Sequence, residues 1–165
     1  MKKIIIIFLI GITLLVTGCN LGNNPNSKVE ELLGKYQKLD DSIVISPTKL
    51  TPSSNLDEET YERYKELIKD QYKNLTYEIK EEKEDGNKAT ITTEIEVTDF
   101  KSIMEKYNYA NYSDEEYNSK LLDKLEGAKD RVTYTIDFEL TKDDNDKWSV
   151  DPLTTEMEDK LLGIY

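Results

Sequence analysis

From Arg131 the chain reads RVTYTIDFEL, and Val132, Tyr134, Ile136, Phe138 and Leu140 alternate with polar residues at every step. Successive side chains of a strand point to opposite faces, so this period of two fits a strand with one dry face and one wet face. The same pattern runs through Ala89, Ile91, Thr93, Ile95 and Val97, with Thr90, Thr92, Glu94 and Glu96 toward water. A shorter stretch, Leu75, Tyr77 and Ile79, precedes it across Glu84–Asn87 (EDGN). An Asp-Gly pair between alternating segments is a strong hairpin signal. Beyond Leu140, the turn KDDNDK leads to a short strand at Trp148 and Val150. Two such hairpins predict one four-stranded antiparallel sheet, wet on one side.

The rest of the chain changes period. Ser27 and Glu30 form a capping box ahead of Val29, Leu32, Leu33, Tyr36 and Leu39, which predicts an amphipathic helix to about Asp40. A loop with prolines at 47 and 52 follows, with a short extended piece at Ile43–Ile45. Asn55 and Glu58 cap a second helix carrying Tyr61, Tyr64, Leu67, Ile68 and Tyr72, ending near Lys73. Between the hairpins, Phe100 to Lys129 is helical in two pieces, the second capped at Ser113 and stopped at Gly127. Thr155 and Glu158 cap a last helix with Met157, Leu161 and Leu162 inward. The order is α-α-β-β-α-α-β-β-α, an α+β fold whose helices cover the apolar face of the sheet.

The N-terminus obeys different rules. Lys2 and Lys3 precede an apolar run of 13 residues, Ile4 to Val16. That run suits a secretory signal and falls short of the ~20 residues that span a bilayer. Val16-Thr17-Gly18-Cys19 then resembles the lipobox of bacterial lipoproteins. What the resemblance implies is cleavage after Gly18, loss of residues 1–18, and a covalent diacylglyceryl group on Cys19. Two acyl chains hold a protein on a membrane where one is marginal. Cys19 is the only cysteine, so it has no disulfide partner within the chain. Residues 19–26 (CNLGNNPN) read as the lipidated cysteine and a flexible tether, and residues 27–165 as a single domain.

Losing Lys2 and Lys3 but no acid takes the formal charge from −12 to −14. Such a chain lacks the clustered basic residues that nucleic acids or an anionic membrane surface require, so nucleic acid is excluded as a partner. Lysine outnumbers arginine 20 to 2, in keeping with a source of low GC content.

With the opening helix VEELLGKYQKLD, the strand RVTYTIDFEL and the closing KWSVDPL, the domain is similar to small lipoproteins of Firmicutes with a cystatin-like or NTF2-like roll. The departure is a helical insertion, roughly residues 101–129, which could fill the cone-shaped pocket of such rolls. That superfamily spans isomerases and pure binding modules, so fold alone does not choose between them.

The residues themselves favour binding. There is no histidine and, after lipidation, no thiol, which removes the commonest general base, metal ligand and nucleophile. The acidic turn at Asp143, Asp144 and Asp146 lacks an EF-hand pattern, since Trp148 and Thr154 occupy its sixth and twelfth positions. Asp99 could serve as a carboxylate base beside a tyrosine, as in NTF2-like isomerases, but more simply caps the helix after it. No catalytic residue and no metal site are assigned, and no cofactor beyond the lipid. In YNYANY, Tyr107, Tyr109 and Tyr112 are interleaved with asparagine, an adaptable contact surface. Tyr107 also fits a plain core position. The expectation is a non-enzymatic, lipid-anchored extracytoplasmic module for an envelope protein or peptide. The alternative is a small-molecule-binding or hydrolase/isomerase-type roll with a carboxylate in a pocket.

Overall fold

The computed structural model describes residues 23–51, 56–107 and 113–165. Helices α1 (Pro25–Lys38) and α2 (Glu58–Lys73) lead into strands β1 (Thr76–Asp85) and β2 (Lys88–Thr98). Helices α3 (Lys101–Lys106) and α4 (Asp114–Glu126) follow, then β3 (Arg131–Lys142), β4 (Trp148–Val150) and α5 (Thr155–Leu162). The four strands form one antiparallel sheet in the order β1-β2-β3-β4. The α+β architecture and both hairpins are those expected from the alternation.

Register follows the apolar pattern. Ile91 pairs Phe138, Thr93 pairs Ile136, and Ile95 pairs Tyr134 on the inner face. On the outer face the threonines and acids bond across the strands: Thr92 Oγ1 donates to Asp137 at 2.6 Å and Thr90 Oγ1 to Glu139 at 3.1 Å. A one-residue slip would exchange these faces, so burial and polar pairing specify the same register. β1 departs from clean alternation. Its pairing shifts between Ile79 and Glu81, and beyond this bulge the strand is charged and exposed. A bulged, charged edge is poorly suited to pairing with another chain.

The apolar side of the sheet is covered by helices. α1 approaches β4, β2 and β1, α5 approaches β2 and β3, and α2 crosses α1 and α5 and carries α4 on its far flank. Val29, Leu33, Tyr64, Ile68, Ile91, Ile95, Leu121, Leu125, Phe138 and Leu161 share one buried core. The insertion between β2 and β3 is closed at its neck, where Asp99 N–H donates to the Asp130 carbonyl at 2.9 Å.

Three helix starts differ from the expected ones. α1 begins at Pro25, and Asn24 rather than Ser27 is its cap: Asn24 Oδ1 accepts from Ser27 N–H at 2.7 Å, and Ser27 Oγ accepts from Asn24 N–H. Proline at the first position has no N–H to leave unpaired, and the helix gains three residues, Pro25 to Ser27, over the expected start. The expected tether is shortened accordingly, since Asn23 and Asn24 are already bonded to the fold. Asp57 caps α2, its carboxylate accepting from Thr60 N–H at 2.9 Å, while Asn55 lies outside the described residues. Thr154, not Thr155, caps α5. Ile43–Ile45 forms no strand and leads into a 3₁₀ turn, Pro47–Lys49.

The elements are locked together by Gln71, a polar residue only 3 % exposed. Its Nε2 donates to the carbonyls of Thr98 and Leu162, each at 2.9 Å, and its Oε1 accepts from Thr98 N–H at 3.1 Å. One amide thus joins α2, the end of β2 and the end of α5. Gly163 makes room for it. Its φ is +80°, and a Cβ there would lie 2.1 Å from the Thr98 carbonyl oxygen.

Replacing Gln71 with leucine takes the side-chain partner from the Thr98 N–H and the Leu162 carbonyl, while the Thr98 carbonyl keeps its bond from Phe100 N–H, and should cost about 2 kcal/mol in urea unfolding. Thr93 offers the opposite case, since its buried Oγ1 has no partner. Thr93→Val should raise stability by up to about 1 kcal/mol in the same assay.

Candidate functional site

The helical period puts Tyr36 and Tyr72 on the buried faces of α1 and α2. Their rings meet edge to face, with centroids 4.9 Å apart and planes at 80°, a favoured aromatic geometry. They form one wall of a cleft of about 370 Å³, with Ile68 and Leu162 as an apolar floor. Ser42, Ile43, Val44 and Ser46 close it from the loop after α1. This size is at the lower end of small-ligand sites. Val44 stands at the lip, 83 % exposed.

The far rim is ionic. Lys49 Nζ bonds Glu158 at 2.8 Å and Asp159 at 2.9 Å, tying the 3₁₀ turn to α5. Burial alone would lower the lysine's pKa, but these hydrogen bonds and charges outweigh it and the net shift is upward. Lys49 is therefore a fixed ammonium with its charge answered, and an unsuitable base. Its partners are half exposed, so the pairs hold geometry more than they add stability.

The tyrosine hydroxyls are the unusual feature. Tyr36 is 8 % exposed and Tyr72 is 6 % exposed. No protein group among the described residues hydrogen-bonds either hydroxyl, and neither oxygen is a sealed, solvent-free orphan. Both therefore open into the cleft. Tyr64, the other buried tyrosine of α2, contrasts with them: its hydroxyl donates to the Asn118 carbonyl at 3.0 Å. Burial, above all, raises the pKa of Tyr36, and burial together with the neighbouring Tyr36 raises that of Tyr72. Both stay neutral donors at any physiological pH. Two neutral O–H donors over an apolar floor, beside serine hydroxyls and a neutralised ion pair, can hold a ligand that offers carbonyl or hydroxyl oxygens and an apolar body.

The residues singled out in the sequence lie elsewhere. Cys19, Gly18, Tyr109 and Tyr112 fall outside the described residues. Tyr107 is half-buried, and its ring packs on Tyr117 with centroids 5.3 Å apart. Tyr107 also lines a more open groove of about 440 Å³ at the neck of the insertion, together with Lys106, Lys124 and Lys129. Lys106 and Lys124 lie in the last turns of α3 and α4, where positive charge offsets the helix dipoles. The fold thus accounts for Lys106 and Lys124 without a ligand. Asp99 borders the same groove and caps the helix after it: its carboxylate accepts from Ser102 N–H at 2.9 Å and Ser102 Oγ at 2.6 Å. The turn at Asp143 is also self-satisfied, with one carboxylate oxygen accepting from the N–H of Asn145 and Lys147. Among the described residues the buried polar side chains are Thr51, Gln71, Thr93 and Asn118, with no carboxylate among them.

Sequence reasoning missed the Tyr36–Tyr72 cleft because both tyrosines sit at core positions of their helices. The only visible signal was the polar, proline-bearing loop that has to pass over them. Comparison with known proteins finds no matching family model, no matching curated protein and no matching solved structure.

Because the hydroxyls serve no protein partner, Tyr36→Phe and Tyr72→Phe should each change unfolding free energy by less than about 0.5 kcal/mol. Truncating Tyr72 to alanine should cost about 3 kcal/mol or more. Alkaline unfolding supplies a separate check. The folded pKa values of Tyr36, Tyr64 and Tyr72 lie above the ordinary 10.0, so above pH 10 the unfolded chain ionises first. Stability should be full below that pH and fall as pH rises beyond it.

Proposed function

We propose that this chain is a bacterial surface lipoprotein whose domain is a non-enzymatic binding module. In this reading residues 1–18 are removed, Cys19 carries a diacylglyceryl group, and the domain stands on the extracytoplasmic face of the cell membrane. The Tyr36–Tyr72 cleft takes a segment of an envelope protein or peptide. Placement is supported by the order of charge, apolar run, small residues and cysteine in the first 19 residues. Binding is supported by one observation above the others: two tyrosines more than nine-tenths buried that direct unpartnered hydroxyls into a common cleft. Peptide carbonyls are natural acceptors for such donors, and the floor of Ile68 and Leu162 suits an apolar side chain. The negative charge of the chain keeps the domain soluble beside the membrane.

Cell fractionation tests the placement. Native protein should sediment with membranes, and Cys19→Ser should leave that fraction. Crosslinking in intact cells tests the cleft. A partner captured by the native domain should be lost from a Tyr36→Phe/Tyr72→Phe double variant that folds normally. Retention of Cys19→Ser on membranes, or undiminished capture by the double variant, would count against the corresponding half.

A further inference from the structure

The fold begins close behind the cysteine. Asn23 is already fastened to the β3–β4 hairpin: its Nδ2 donates to the Asp146 carbonyl at 2.6 Å, and its Oδ1 accepts from Trp148 N–H at 3.1 Å. Asn24 caps α1, and Asn26 Nδ2 donates to the carboxylate of Glu82 on β1. The β1–β2 turn lies at the same end, where Lys142 N–H donates to the Asn87 carbonyl at 2.8 Å. Four peptide units separate Cys19 from Asn23, and fully extended they reach at most about 14 Å. From this end β2 runs for 11 residues, or roughly 37 Å at the rise of an antiparallel strand.

The cleft belongs to the opposite half. α1 starts at the tethered end and finishes where Gln37 Nε2 donates to the Leu75 carbonyl, just ahead of β1. Tyr36 is in that last turn, and Tyr72 lies one residue beyond Gln71, which holds the far end of β2. The neck groove, at Asp99 and Asp130, is also at the far end.

We infer that the end of the domain formed by the two hairpin turns is its membrane-facing surface, seated over lipid headgroups, and that the tyrosine cleft faces outward. The inference rests on the lipid anchor proposed above. The turns carry Glu84, Asp85, Asp143, Asp144 and Asp146 against Lys83, Lys88, Lys142 and Lys147, with Lys142 paired to Glu84 and Lys88 to Asp151. This end is therefore nearly neutral and can seat on a zwitterionic headgroup layer. The tether is too short to let the domain drift a full diameter away.

The lipidated protein supplies its own labelling scheme, because its one native thiol is blocked by lipid. A fluorophore is placed on Asn145→Cys, at the tethered end, or on Lys129→Cys, at the far end, and the protein is bound to phosphatidylcholine vesicles bearing a headgroup acceptor. Energy transfer should be several-fold stronger from position 145 than from position 129. A flexible insert of about 20 residues after Asn20, with a mean span of roughly 25 Å, should bring the two signals down and closer together. Equal transfer from both positions, or stronger transfer from position 129, would overturn the orientation while leaving the anchor intact. Native protein that fails to float with vesicles would overturn the anchor and the orientation together.

Discussion

The structure depends most on a single amide. Gln71 binds both backbone groups of Thr98 and the carbonyl of Leu162 from a site closed to water. Buried hydrogen bonds are modest in net energy but expensive to leave unmade, so this side chain dictates how α2, β2 and α5 meet. Everything near the candidate site inherits that arrangement. Tyr72 follows Gln71 in α2, and Leu162, whose carbonyl Gln71 holds, forms part of the cleft floor. The close fit at Gly163 shows how tightly these elements approach.

A division of labour along the long axis of the domain follows. One end holds the hairpin turns, the start of α1 and the chain segment nearest Cys19. The other holds the neck of the insertion and, in the same half, the cleft between α1, α2 and α5. The groups that line the cleft from α1, α2 and α5 are supported by helices packed on the sheet, while the loop from Asp40 to Ser46 closes its other side. This is the usual partition between a rigid scaffold and a contact loop. The outer face of the sheet, with its threonine-to-carboxylate bonds, keeps the uncovered layer wet and in register.

Much of the fold was legible because strand alternation is a period-two signal that few other structures tolerate. Val132 through Leu140 and Ala89 through Val97 announced β3 and β2, and Asp85-Gly86 announced the turn between β1 and β2. Helix starts were less legible, because Asn24, Asn26 and Ser27 all suit a cap, and Pro25 settled the choice by needing no N–H partner. The bulge in β1 had no sequence mark, since Lys80 and Glu81 continue an already polar run. The candidate site was least legible. A tyrosine on an apolar helical stripe looks the same whether its hydroxyl meets a carbonyl, as Tyr64 does, or a cleft, as Tyr36 and Tyr72 do. Only the three-dimensional arrangement separates the two cases. Tyr107, chosen for its neighbours in sequence, packs on Tyr117 and lines the groove at the neck of the insertion.

The central claim is that an acyl-bearing cysteine turns this acidic α+β domain into a fixture of the cell surface. The most direct measurement is the mass of the N-terminal peptide of the protein isolated from its native membrane. The account predicts a chain that begins at Cys19 and carries a diacylglyceryl thioether. A chain that begins at Met1 with a free thiol at position 19 would contradict it.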